Sequence, residues 1–158
     1  MIRTAILTIS DSCAAGRTQD AGGPAIAEML DAALYEVCAA RVASDDAGAI
    51  RNELKMFCDV EAVDIVLTTG GTGFGPRDIT PEATAEVCER LAPGLGELMR
   101  AEGLRHTPTA ALSRAVAGIR GRTLIINLPG SPKGVRESLA AILKVLPHAV
   151  KMMAGGGH

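Results

Sequence analysis

Residues 64–81 read DIVLTTGGTGFGPRDITP. The opening run, Asp64–Thr68, is apolar and β-branched, the pattern of a strand buried on both faces of a parallel sheet. It runs into a cluster of glycines. Thr80 is then placed to act as a helix N-cap, with Pro81 at the first helical position and Glu82 in the first turn. A buried strand, a glycine-rich loop and a helix in that order make half of a βαβ unit. Outward from this stretch, Thr4–Ser10, Tyr35–Val42, Arg114–Ile119 and Thr123–Leu128 also read as strands, with a turn at Gly121-Arg122. Between them, apolar residues recur at helical spacing over Pro24–Ala33, Ala47–Val60, Pro81–Leu91, Leu95–Gly103 and Pro132–Leu146, with a break at Pro93-Gly94. The expected fold is α/β and three-layered. A mostly parallel, twisted sheet carries helices on both faces, joined by right-handed crossovers. Residues 1–158 are expected to form one domain, with 155–158 as a frayed tail.

Composition narrows the function. The 158 residues are 47% hydrophobic and 22% charged, which suits a globular chain. Tyr35, Phe57 and Phe74 are the only aromatic residues, so base stacking on aromatic platforms is excluded as a main binding device. The formal net charge of −2 gives no basic field for nucleic acid or an anionic membrane. Cys13, Cys38, Cys58 and Cys88 form no C-x-x-C pair for zinc or redox chemistry. The opening residues Met1-Ile2-Arg3-Thr4 enter a strand-like run without a leader pattern, and no run is long enough for a membrane helix. The expected location is the cytoplasm.

In open α/β sheets ligands bind outside the carboxyl ends of the strands. Three segments there look unlike ordinary loops. In the first, Ser10-Asp11-Ser12 is followed by Asp20 and Gly22-Gly23; its hydroxyls suit phosphate or sugar, or equally a local turn. In the second, Gly70, Gly71, Thr72 and Gly73 can turn successive backbone amides into one concavity, an anion nest. Arg77 can neutralise phosphate there. Asp78 would be repelled by a bound phosphate unless a hard cation such as Mg²⁺ lies between them; the bland alternative is that Asp78 hydrogen-bonds its own loop. The segment is neither a dinucleotide fingerprint nor a Walker loop, since Pro76 replaces the final glycine and no G-K-[ST] follows. In the third, Asn127–Gly134 (NLPGSPKG), Ser131 is the expected N-cap and Pro132 the first helical residue. Lys133 and Arg136 oppose the helix dipole unless an anion binds or both reach solvent. The pair Asp45-Asp46 after the second strand suits either metal binding or capping of the next helix by Ser44 or Asp45. His106, His148 and His158 lie outside these loops, and no catalytic nucleophile can be argued.

Taken together, TISDS, TTGGTGFGPRDITPEAT and NLPGSPKG, in this order and spacing, resemble the molybdopterin adenylyltransferase family, the MogA/MoaB type, which is similar to the G domain of gephyrin. The resemblance runs from Thr4 to about Met153 and implies that family's fold. It implies Mg²⁺-dependent transfer of AMP from ATP to molybdopterin, with release of pyrophosphate, in molybdenum cofactor biosynthesis. It also implies a homotrimer that hands its product to a molybdenum insertase. A non-catalytic molybdopterin carrier of the same family is the alternative. By resemblance, Asp78 and Asp45 (or its neighbour Asp46) are the catalytic, metal-holding aspartates. Gly70, Gly71, Thr72 and Gly73 receive phosphate, and Ser10, Asp11, Ser113, Asn127, Pro129, Gly130, Ser131 and Lys133 line the pocket.

Overall fold

The computed structural model describes residues 1–157. The chain runs β1 (Ile2–Ile9), α1 (Asp11–Ala14), α2 (Gly22–Met29), β2 (Tyr35–Ala43), α3 (Ala47–Lys55), β3 (Ile65–Thr69), α4 (Thr80–Val87), β4 (Arg90–Leu91), α5 (Pro93–Gly103), β5 (Ala117–Arg120), β6 (Thr123–Leu128), α6 (Pro132–Ile142) and α7 (Leu146–Met153). A π-helical turn, Met56–Val60, extends α3, and a 3₁₀ segment, Pro108–Leu112, precedes β5. The strands form one six-stranded sheet in the order β2-β1-β3-β6-β5-β4. The β1–β2, β1–β3 and β3–β6 pairs are parallel, while β5 and β4 are added antiparallel through the hairpin at Gly121.

The layering follows from the period-two alternation of strands buried on both faces. Ile65 and Leu67 of β3, with Leu124, Ile126 and Leu128 of β6, face a core closed by Ile26 of α2, Met99 of α5 and Val135, Leu139 and Ile142 of α6. Val66 and Ile125 point the other way, toward Ile50 and Leu54 of α3, Phe57, and Ala83 and Val87 of α4. The expected three-layer, mostly parallel architecture is the one observed.

Several boundaries differ from expectation, each for a local reason. The helix expected over Pro81–Leu91 ends at Val87, because Cys88 takes an extended conformation (φ −78°, ψ 137°). Arg90-Leu91 then pairs with β5, flanked by bonds from the Glu89 amide to the Ile119 carbonyl and from the Ala92 amide to the Ala117 carbonyl, 2.8 Å each. Pro93-Gly94 is the first turn of α5 rather than a break, since proline at a helix start loses no hydrogen bond. The helix expected over Pro132–Leu146 stops at Ile142, and α7 begins anew with Pro147 in its first turn. Pro147 has no amide hydrogen to donate to the Leu143 carbonyl, which places the break in the turn before it. Gly155 (φ +87°) ends α7, its amide bonding the Met152 carbonyl and that of Gly156 the Lys151 carbonyl. Of the expected tail, His158 lies outside the described residues. Among the described residues no helix is long and apolar enough to cross a membrane.

Candidate active site

From β1 the chain passes to β2 on one side and then to β3 on the other, so the connections diverge between β1 and β3. At such a switch point the loops part and leave a crevice. The loops after β1, β3 and β6 meet there.

The glycine loop is built by close backbone approach. Gly70 (φ +102°) and Gly71 (φ +68°) take conformations that side chains rarely adopt. A Cβ on Gly70 would lie 2.2 Å from the Ile9 carbonyl oxygen, and one on Gly71 2.3 Å from Thr80 Oγ1. The Gly70 amide donates to the Leu128 carbonyl (3.2 Å), and Thr69 Oγ1 donates to the Pro129 carbonyl (2.6 Å), which binds this loop to the one after β6. Thr80 is the first residue of α4 rather than its N-cap; Ile79 occupies the cap position without a side-chain bond. The Thr80 hydroxyl instead donates to the Gly70 carbonyl (2.9 Å), and its amide to that of Gly71 (3.1 Å).

Arg114 grips the loop from its outer side. Its amide donates to the Thr72 carbonyl (2.9 Å) and its Nε to that of Gly73 (2.8 Å), while its guanidinium reaches the Asp78 carbonyl and the Glu82 carboxylate. That use of Arg114 is why β5 starts at Ala117 and not at Arg114 as expected. With four loop carbonyls, those of Gly70, Gly71, Thr72 and Gly73, tied to protein donors, the amides of Gly71, Thr72 and Gly73 have no protein acceptor among the described residues. The arrangement leaves donors for an anion, as the glycine spacing implies.

Beside these amides lie Asp45 and Asp78, with Asp11 and Asp46 next to Asp45. Asp46 caps α3, accepting from the Ala49 amide (2.9 Å), so the capping role falls to neither Ser44 nor Asp45. Asp45 is thereby free to turn toward Asp11. The Asp11 amide donates to Asp45 Oδ2 (2.9 Å), and the Asp45 amide donates to Asp11 Oδ1 (3.0 Å). Asp45 Oδ1 lies 3.2 Å from where a Gly71 Cβ would stand. Arg77 holds both oxygens of Asp11 and also donates to the Asp45 carbonyl (3.1 Å), so its guanidinium serves the aspartates and not an anion in the nest. The Arg77 hydrogen bond holds the Asp11 carboxyl below its usual value. Burial pushes Asp45 the other way; repulsion from Asp11 and Asp78 adds to that rise, and the Asp11 amide opposes it. Asp78 Oδ2 accepts from the Gly75 amide (2.9 Å), the loop bond that the bland reading expected. Asp78 Oδ2 also lies 3.0 Å from where a Gly73 Cβ would stand, so both carboxylates border the glycine loop. Among the described residues no group of three His, Cys, Asp or Glu side chains is arranged to hold a metal ion.

The remaining expected residues divide. Ser10 caps the short α1, accepting from the Cys13 amide (3.2 Å), at the rim of the crevice. Gly130 packs against Gly70, with a Cβ position 3.4 Å from the Gly70 Cα. Ser131 is the N-cap of α6, accepting from the Gly134 amide (3.0 Å), and Lys133 stands 85% exposed with Nζ 3.9 Å from Glu137. Ser113 accepts from the Ala115 amide (3.3 Å) and lines a small cavity with Pro129 and Glu137, apart from the aspartates. Asn127 does not face the cleft. It is fully buried, its Oδ1 accepting from the Val116 amide (3.2 Å) and its Nδ2 donating to Thr68 Oγ1 (3.1 Å) and Thr84 Oγ1 (2.9 Å). Arg114, which directly follows Ser113, was expected only as the start of a strand: a single arginine outside the three loops carries no pattern. Between the three loops lies a cavity of about 240 Å³, lined by Ser10, Asp20, Gly22, Thr69, Gly70 and Gly130.

A glycine anion nest beside paired carboxylates, at the switch point of a mostly parallel sheet, defines an α/β protein of the phosphate-binding class. Comparison with known proteins narrows the class. The chain belongs to the family described as "Probable molybdopterin binding domain", which matches residues 5–148. It is 45% identical over 161 aligned residues to a molybdopterin adenylyltransferase of Helicobacter pylori, covering 98% of this chain and 89% of that one. A molybdopterin adenylyltransferase of Escherichia coli is 43% identical over 144 residues, covering 89% and 73%. The crystal structure of the molybdopterin biosynthesis enzyme MoaB of Thermus thermophilus superposes with a TM-score of 0.93 at 55% identity, covering 98% of both chains.

Proposed function

We propose that this protein adenylylates molybdopterin in molybdenum cofactor biosynthesis. The observation that carries the reading is the glycine loop with the amides of Gly71, Thr72 and Gly73 left without a protein acceptor, bordered by Asp45 Oδ1 beside Gly71 and Asp78 Oδ2 beside Gly73. The curated relatives named for this activity support it across most of the chain.

In the reaction, an oxygen of the terminal phosphate of molybdopterin attacks the α-phosphorus of ATP. The bond from that phosphorus to the bridging oxygen breaks, and pyrophosphate leaves. No protein nucleophile is needed. The nest amides of Gly71, Thr72 and Gly73 receive phosphate oxygens, and being fixed beforehand they stabilise charge without reorganising. The binding of the glycine loop to Leu128 and Pro129 holds two walls of the cleft at constant separation, which keeps two bound reactants aligned. Asp45 and Asp78 would hold Mg²⁺. Two carboxylates completed by substrate phosphates suit this ion better than an all-protein cage. When bound, the ion would neutralise charge on the triphosphate. The same reading carries a homotrimer in the cytoplasm and hand-off to a molybdenum insertase.

Purified protein given Mg-ATP and molybdopterin is expected to release pyrophosphate and form adenylylated molybdopterin in equal amounts. Protein that binds both ligands and releases nothing above background would show a carrier instead.

A further inference from the structure

Arg100 stands half-buried in the last turn of α5. Its Nη1 donates to two carbonyls, those of Ala115 (2.9 Å) and Ser113 (3.4 Å). These flank Arg114, the residue that grips the glycine loop. Hydrogen bonds from a charged donor are stronger than neutral ones, so the backbone on either side of Arg114 is held firmly. From there the Arg114 amide reaches the Thr72 carbonyl (2.9 Å), Nε reaches that of Gly73 (2.8 Å) and Nη2 reaches that of Asp78. The sequence of α5 makes room for this contact. Gly96 lies one turn before Arg100 and is buried; a Cβ there would stand 3.0 Å from both the Ala115 carbonyl oxygen and Arg100 Nη2. Glycine inside a helix costs stability relative to alanine, and here it leaves the space in which guanidinium and carbonyl meet. On the other side, buried Asn127 of β6 holds the Val116 amide (3.2 Å). The segment Ser113–Val116 is thus pinned from α5 and from β6, and Arg114 extends from it to the loop.

We propose that Arg100 is a positioning residue for phosphate transfer and acts through Arg114. Among the described residues, its hydrogen bonds go to neither the nest nor an aspartate. It sets where Arg114 stands, and Arg114 sets the spacing between the Gly73 amide and Asp78 by holding the carbonyls of both residues. That role rests on the reading that the nest and Asp78 serve one reaction. A small displacement suffices, since a misplacement of about 1 Å can cost roughly 10²-fold in rate.

Arg100→Met keeps an unbranched stem and a good helix former while removing the donor. In ligand-free protein it should shift the backbone amide NMR signals of Gly73 and Asp78, across the fold from the substitution. With Mg-ATP and molybdopterin, kcat per folded molecule should fall about tenfold in Arg100→Met and about 100-fold in Arg114→Met, the range for misplaced reacting groups. The double variant should stay within about threefold of Arg114→Met alone, because residues acting in series are not additive. A double variant that loses the full product of the two single effects overturns the proposal, since Arg100 would then act independently of Arg114. A lower melting temperature with kcat per folded molecule unchanged overturns it as well, leaving Arg100 a purely structural role. Unmoved Gly73 and Asp78 amides do the same, and that arm needs no turnover. Gly96→Ala leaves Arg100 in place and crowds its contact, so it should shift the same amides and serves where Arg100→Met does not fold. Wild-type protein that releases no pyrophosphate would refute the proposed reaction while leaving the amide shifts as they are, so the two failures are distinct.

Discussion

Asp11 and Asp45 each accept the backbone amide of the other, at 3.0 and 2.9 Å. This closed ring joins the loop after β1 to the end of β2. It leaves Asp45 with one oxygen, Oδ1, directed toward Gly71. Arg77 fixes the ring from the glycine loop by holding Asp11 and the Asp45 carbonyl. Three loops from three strands therefore share one set of hydrogen bonds, and the aim of Asp45 depends on all of them.

Arg77 should then act as a positioning residue. Arg77→Lys keeps the charge and loses the planar fork that spans both Asp11 oxygens. Turnover should fall about 10- to 100-fold, the usual cost of losing a partner that orients a metal ligand. The KM for ATP should change less than kcat, because the nest amides remain. Steady-state kinetics with Mn²⁺ and Mg²⁺ titrations check this; a variant altered only in KM would mean that Arg77 contacts the triphosphate directly.

Asp45→Asn and Asp78→Asn should each lower kcat by on the order of 10²-fold, the scale of removing one preorganised electrostatic group. Pterin affinity should stay within about twofold. Asp46→Asn provides the contrast: asparagine caps a helix as well as aspartate, so turnover should be unchanged. Parallel kinetics on the three variants separate the neighbouring acids, of which Asp46 accepts from the Ala49 amide and Asp45 from that of Asp11.

Gly70→Ala should destabilise the fold by about 2–5 kcal/mol, combining the strain of positive φ with the overpacking of a core contact. The backbone here cannot yield, because the added Cβ meets the Ile9 carbonyl at 2.2 Å. Urea denaturation measures the loss. Asn127→Ala should also cost about 2–4 kcal/mol, since the Val116 amide loses its side-chain acceptor in a buried site. The remaining folded protein should bind ATP normally, which distinguishes a beam beneath the cleft from a residue lining it.

How much of this was legible in the sequence varies with the length scale of the signal. β1, β3 and β6 were readable because strands buried on both faces are runs of apolar residues, and DIVLT and TLIINL are built around such runs. The tight turn after β3 was readable because glycines at 70 and 71 mark backbone that a side chain would block. β4 was not, since two residues carry no period, and Arg90-Leu91 continues a helical pattern until β5 captures it. Nor could Asp45 be told from Asp46, as adjacent residues differ only in which way the chain turns them. The roles of Arg77 and Arg114 rest on partners 66 and 41 residues away, a separation no local pattern encodes.

The opposed shifts of Asp11 and Asp45 give the remaining prediction. Asp11 titrates below the usual 3.8 in the folded protein, so its ionised form contributes stability above that pH, lost as pH falls through the lowered value. Asp45 titrates above 3.8, so its ionised form opposes folding, and protonation on acidification relieves that strain. Lowering the pH of metal-free protein should therefore protonate Asp45 first, without unfolding, and Asp11 only later, together with loss of structure. Carboxyl-carbon NMR titration of metal-free protein should show the two aspartates on opposite sides of 3.8. Arg77→Gln removes the main cause of the Asp11 shift and should bring Asp11 up toward its usual value. It should raise Asp45 slightly, since the Arg77 charge lowers it. Identical titration of the two residues in the wild type would mean that the Arg77–Asp11 pair and the burial of Asp45 do not persist in solution.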